Sequence, residues 1–283
     1  MTITAGFLCR DGVILCADSQ FTYGDVFKAK GRKLSSHNLA PLPAKIGFAL
    51  AGNVSHAQVA IRKIVTNLQD ISDPTTVNTR KIVESIEKTL HKYYKKYIWK
   101  HPKYSDGDLD FSLLMTIYTE SNGASLFYSD EDAVVNVEGF EADGSGHDLF
   151  RYIVGANYVN KMEIETLLVL ATHALKEVKN NDPNCGFNSE FLAFFEHNKK
   201  FSRIAEYDIS HVEKYSPEVR KATFELMFLM ANPSIVDQTV EDAKSRFIRS
   251  LSSLRDEYLK DKYEHMRIKE LVKVLTELPD DKA

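Results

Sequence analysis

The 283-residue sequence holds only three cysteines, Cys9, Cys16 and Cys185, with no CxxC pair and no Cys/His spacing that would grip zinc. That scarcity excludes a disulfide framework, and the odd count fits a reducing compartment. No apolar run approaches the roughly 18 residues of a membrane-spanning helix, so no membrane association is expected. The first residues also lack the basic stretch followed by an apolar one that marks a secretion signal, and a cytoplasmic location is expected. Charge of one sign is scarce: 36 Lys and Arg stand against 40 Asp and Glu, a net of −4, and nothing in that balance argues for a nucleic-acid partner. The basic run HKYYKKYIWKHPK at 91–103 reads as the solvated face of a helix. What remains, 43% hydrophobic and 27% charged residues, is the composition of a globular chain long enough for one large domain with an extension.

The pattern of apolar residues changes along the chain. Thr2 to Cys9 and Val13 to Ala17 read as a hairpin turning at Asp11-Gly12, and Lys45 to Ala51 as a strand ending at Gly52. A helix capped by Ser55 follows, carrying Val59, Ile61, Ile64, Val65 and Leu68, and a second runs from about Val77 with Ile82, Ile86, Leu90 and Tyr94 on its apolar face. Phe111 to Thr119 and Ala124 to Ser129 pair across Asn122-Gly123, and 132–140 adds one further strand. Beyond DGSGHD, the residues from Met162 to Val178 make a third helix, broken by Pro183 and Gly186. Phe187 to Phe195 and Phe201 to His211 read as closing strands. Strands, two helices, strands, helix, strands: the order predicts an α+β fold of two antiparallel sheets packed face to face with helices outside.

The first 210 or so residues resemble the proteasome β-subunits and their bacterial heat-shock peptidase relative, members of the N-terminal nucleophile hydrolases. The resemblance rests on TITAGFLCRDGVILCADSQFTYG, GRKL, GFALAGNVSHAQ, DGSGHDLF and NDPNCGF, in the family's order and at nearly its spacing. It implies a four-layer αββα sandwich for residues 1–215, with residues 216–283 as a C-terminal helical extension. No cofactor and no metal are implied.

The family's chemistry gives meaning to a threonine at position two. The nucleophile is the hydroxyl of an N-terminal threonine and the base is the α-amine of the same residue, whose pKa of about 7.7 to 8 lets it accept a proton near neutral pH. Thr2 therefore has to be exposed by removal of Met1, which its small side chain permits. The resemblance places Lys33 beside the nucleophile with Asp18 holding it, where the ammonium would lower the pKa of amine and hydroxyl. Lys33 takes this place only if one residue is missing relative to typical β-subunits, which leaves Arg32 as the competing position. Gly52 would offer its backbone N–H to the oxyanion. Ser145 and Asp182 match the residues that orient the amine, and Cys185 stands where a serine is usual, a thiol being the poorer donor. A peptide or unfolded protein substrate would add as a strand between the segment around Thr22 to Gly24 and that around Gly52 to Val54. Phe21, Leu50 and Val54 match the lining of the primary specificity pocket, and Gln20 replaces the arginine common in β-subunits.

Singly, these residues are ordinary. Asp18 is a turn residue at a strand end, Lys33 a surface lysine, Cys16 core filler, and Ser145 part of a flexible turn that lacks the outer glycine of a nucleophile elbow. A Ser145–His147 pair is discounted. Their joint occurrence carries the reading of a threonine-type endopeptidase. A homo-oligomeric ring is expected, with an ATP-dependent unfoldase as a candidate partner. The alternatives are a catalytically silent scaffold subunit, and a non-peptide amidase or peptide ligase on the same core. In the extension, Ser216-Pro217 reads as a helix start, and an apolar stripe from Val240 to Tyr258 needs a surface to bury it, on its own domain or on a neighbouring subunit.

Overall fold

A computed structural model describes residues 2–23, 27–71, 77–102, 109–159 and 161–231, and beyond them 241, 242, 244–249, 251–253, 255–257 and 260. Met1, Gly24, Val240 and Tyr258 lie outside the described residues. The chain divides into two compact units, Met1–Ile209 and Ser210–Ala283.

The first unit is built on two five-stranded antiparallel sheets. One contains β1 (Thr4–Leu8), β2 (Gly12–Asp18), β10 (Phe140–Asp143), β11 (Ser189–Phe195) and β12 (Lys200–Arg203), in the order β10-β1-β2-β11-β12. The other contains β5 (Leu34–Asn38), β6 (Ala44–Gly52), β7 (Phe111–Thr119), β8 (Gly123–Asp130) and β9 (Ala133–Val137), in chain order. A small ribbon, β3 (Gln20–Tyr23) with β4 (Phe27–Lys30), joins them in sequence.

Alternation along the strands sets the layers. On β2, Val13, Leu15 and Ala17 face Leu34, Ala49, Leu114 and Leu192 between the sheets. Ile14 and Cys16 point the other way, onto a core shared with α3 (His147–Gly155) and α4 (Ile164–Asn181) through Phe150, Leu167 and Leu175. The outer face of the second sheet is covered by α1 (Val54–Gln69) and α2 (Thr79–Tyr97), through Ile64, Leu68, Ile86 and Leu90 packed on Phe48, Leu113 and Met115. Helix, sheet, sheet, helix is therefore the order of layers, and β2, buried on both faces, is its centre.

Several elements differ from the sequence expectations, each for a local reason. The first hairpin turns at Arg10-Asp11, because Cys9 N–H bonds Gly12 O and Leu8 pairs with Val13. Asn53 rather than Ser55 caps α1: Gly52 at φ +78 breaks the strand, and the Asn53 side chain accepts from His56 N–H at 3.1 Å, a contribution of about 1 kcal/mol. The single strand expected over 132–140 is two strands that enter different sheets, β9 on β8 and β10 on β1. Helix α3 was not anticipated, nor were β3, β4 and β5. The closing strand ends at Arg203, and α5 (Glu206–Ala231) begins ten residues before Ser216, with Pro217 inside the helix rather than at its start. Among the described residues, no helix is long and apolar enough to cross a membrane, and no group of His, Cys, Asp or Glu could hold a metal ion.

Candidate active site

The centre of the site is a buried threonine. Thr2 is 4% exposed, and its hydroxyl donates to Asp18 Oδ1 at 2.6 Å while accepting from the Lys33 ammonium. Lys33 also donates to Asp18 Oδ1 at 2.6 Å; the pair is 1% and 0% exposed. Burial pushes the Lys33 pKa below the ordinary lysine value, and the neighbouring Asp18 carboxylate opposes that shift. Arg32, the competing position, instead lines a separate cavity with Lys30 and Gly31.

The backbone also serves Asp18. Its Oδ1 also accepts from Ile3 N–H at 3.0 Å, and its Oδ2 accepts from Gln20 N–H at 3.0 Å and Gly186 N–H at 2.9 Å. Sequence reasoning missed these three residues, since the contributions are amides that any side chain could accompany. The glycine at 186 was still a signal, because a Cβ there would sit 2.4 Å from Gln20 Oε1.

A second cluster sits on the turn after β10 and the turn after α4. Ser145 donates to Asp182 Oδ2 at 2.6 Å, Cys185 Sγ approaches the same oxygen at 3.4 Å, and Asn184 N–H donates to Oδ1 at 2.8 Å. Burial alone would raise the Asp182 pKa, but these donors outweigh it and hold the carboxyl below the usual range. The Cys185 thiol is pushed up by burial, with Asp18 and Asp182 adding to it, and so stays protonated. His147 has no part in this cluster: it starts α3, and its Nδ1 lies 2.7 Å from Gly144 O.

The two clusters meet at the backbone of Thr2. Thr2 O lies 3.4 Å from both Gly146 N and Ser145 Oγ. Gly144, at φ +102, passes so close that a Cβ would stand 2.1 Å from Thr2 O. Gly144→Ala should therefore destabilise the fold by more than about 1 kcal/mol and displace Thr2. Urea unfolding measures the first effect, and the second would appear as lost reactivity of Thr2 toward electrophiles. Gln20 ties the clusters together from a further side, donating from Nε2 to Pro183 O at 3.0 Å and to Thr22 Oγ1 at 3.3 Å.

The remaining expected residues lie on the strands that frame Lys33. Leu50 N–H bonds Lys33 O at 3.2 Å, which places Gly52 two residues farther along β6 at an exposed end, against Asp110 O. Phe21 stacks its ring under the Lys33 ammonium, 5.5 Å from the centroid. Phe21 and Leu50 belong to one apolar cluster, with Val54 packed against it. Thr22 is half-buried on β3.

Comparison with known proteins agrees with this fold. The chain is 29% identical over 195 residues to a proteasome subunit beta of Methanococcus maripaludis, covering 65% of this chain and 79% of the relative. A proteasome subunit beta of Methanocaldococcus vulcanius is 27% identical over 190 residues, covering 65% and 78%. Among solved structures, Anbu (ancestral beta-subunit) from Yersinia bercovieri superposes with a TM-score of 0.67 at 13% identity, covering 83% of this chain and all of that one. The Anbu complex from Pseudomonas aeruginosa, described as a helical assembly, gives 0.68 at 14% identity, covering 84% and 99%. The sequence profile of the proteasome subunit family matches residues 2–192, and the chain belongs to that family.

Proposed function

We propose that the protein is a threonine-type peptidase in which Thr2, once Met1 is removed, is both nucleophile and base. The observation that supports this reading best is the Thr2 hydroxyl held between the Lys33 ammonium and the Asp18 carboxylate, all three buried. With Met1 attached, the Thr2 nitrogen is an amide and has no basic lone pair. Freed, it is an amine within its own residue's reach of Oγ1. Oγ1 then attacks the peptide carbonyl carbon, and its proton passes to the amine. The oxyanion is met by the Gly52 N–H, the C–N bond breaks, and the leaving amine takes the proton back from the α-ammonium. Water, deprotonated by the same amine, cleaves the resulting ester. Lys33 supplies positive charge near the developing alkoxide, a preorganised electrostatic contribution that needs no solvent rearrangement. Ser145, which reaches Thr2 O and donates to Asp182, fixes the amine's orientation together with that carboxylate. A silent scaffold would have no need of a buried ion pair on Thr2.

A substrate strand lying along Thr22 and Gly52 to Val54 would present its side chain to Phe21, Leu50 and Val54, so an apolar residue before the cleaved bond is preferred. Backbone pairing of this kind tolerates most sequences, and enclosure of the site in a homo-oligomeric ring, fed by an ATP-dependent unfoldase, belongs to the same reading.

Production of the chain with Thr2 as its first residue, beside a chain whose Thr2 nitrogen remains acylated, tests the proposal. Hydrolysis of apolar fluorogenic peptides is expected only from the first; equal rates would refute it. The pH profile of kcat/KM should be bell-shaped. Its rising limb reports the amine, below about 8 because the Lys33 charge disfavours its protonation. Its falling limb reports loss of the Lys33 ammonium, below the ordinary lysine value of about 10.4 because burial has lowered it.

A further inference from the structure

The layer between the sheets is apolar through Leu15, Ala17, Leu34 and Leu192, and two charged residues, Glu190 and Arg203, reach its end. Glu190 lies two residues before Leu192 on β11 and so on the same face of the sheet. It pairs with Ala17 across β2, while its neighbour Ser189 pairs with Asp18. The Glu190 side chain is 18% exposed, and its Oε2 has no hydrogen-bond partner among the described residues. Arg203 Nη1 approaches that oxygen only to 4.0 Å, its guanidinium being engaged at 2.5 Å on Leu34 O. A carboxylate so placed is unfavourable unless another positive charge compensates it. The residue before Leu34 is Lys33, whose buried ammonium bonds Asp18 and the Thr2 hydroxyl.

We propose that Glu190 is a positioning residue for Lys33: a second carboxylate, set on β11 beside the strand that carries Asp18, which keeps the buried lysine charged without touching the reacting atoms. The titratable groups that face Lys33 come from each element packed around it: Asp18 on β2, Cys185 on the turn after α4 and Glu190 on β11; Cys185 stays a neutral thiol, so the two carboxylates supply the negative charge. Arg203 on β12 acts on Glu190 in the opposite sense. A cavity of about 400 Å³ lined by Glu190, Arg203, Arg32, Lys30 and Glu206 flanks this arrangement.

The inference rests on the peptidase reading only for its kinetic consequence, and its test has a readout independent of activity. In protein labelled with ¹³C-lysine, the Lys33 signal, assigned by its loss in Lys33→Met, is followed against pH. Glu190→Gln should lower the Lys33 titration by roughly half a pH unit or more, and Glu190→Asp should retain the wild-type value. An unmoved Lys33 titration in Glu190→Gln overturns the inference. Should that variant not fold, Arg203→Met is the second test: the Lys33 titration should rise, and an unmoved value overturns the inference equally. In active protein, the falling limb of kcat/KM should move with the NMR titration. A moved titration in a protein that hydrolyses nothing would refute the peptidase reading and leave the role of Glu190 standing.

Discussion

Thr2→Ala should abolish peptide hydrolysis, lowering kcat by about 10³-fold or more, while the fold survives. The magnitude follows from removal of a nucleophile for which no neighbouring group can substitute. Lys33 has no lone pair while charged, and Ser145 is committed to Asp182. The stability cost is small because only one of the hydrogen bonds on Asp18 is lost. Ile3, Gln20 and Gly186 N–H groups and the Lys33 ammonium still hold that carboxylate. Steady-state kinetics alongside a thermal melt separates the two effects. Hydrolysis at the wild-type rate by Thr2→Ala would leave the fold assignment intact and remove the chemistry.

Lys33→Met should act on both quantities. Removing one member of a fully buried ion pair leaves an uncompensated charge, which costs roughly 3–5 kcal/mol. Here the lower end, about 3 kcal/mol, is expected, because four donors to Asp18 remain. Chemical denaturation would show this as a lower midpoint at unchanged slope. Activity should fall by about 10²-fold or more, as the positive charge near the alkoxide is lost. The double variant Asp18→Asn/Lys33→Met should be less destabilised than the sum of the single ones, since neither charge is then buried alone. Additive losses would mean that the two side chains do not act as a pair.

The parts of the site that were legible in the sequence are side chains with distinctive chemistry at fixed places along strands. Thr2 lies just before β1, Asp18 at the end of β2 and Lys33 just before β5, and it was the resemblance to the β-subunits that suggested that they meet. What holds them could not be read that way. The amides of Ile3, Gln20 and Gly186 carry no side-chain signature, and nothing in the apolar run Phe187 to Phe195 set Glu190 apart. The layered fold was legible because β2, β6, β7 and the long helices α1, α2 and α4 carry apolar periodicities over many residues. The missed elements are short or are decided by tertiary context. β3 and β4 are four residues each, and α3 follows directly on a glycine-rich turn. The run from 132 to 140 reads as one strand, yet Glu138-Gly139 passes the chain from one sheet to the other, a choice made by the available edges and not by local propensity. Pro217 looked like a helix start because proline suits a first turn, whereas α5 was already formed by Glu206.

The central claim is that one residue supplies hydroxyl and amine together, and a peptide epoxyketone tests it most directly, because both of its electrophilic carbons are captured only by a hydroxyl and an amine on adjacent carbons. Mass mapping after incubation should find a single adduct on Thr2 of a chain that begins with Thr2, and none on Thr2→Ala. A folded chain beginning with Thr2 that stays unlabelled, or labelling that survives acylation of the Thr2 nitrogen, would contradict it.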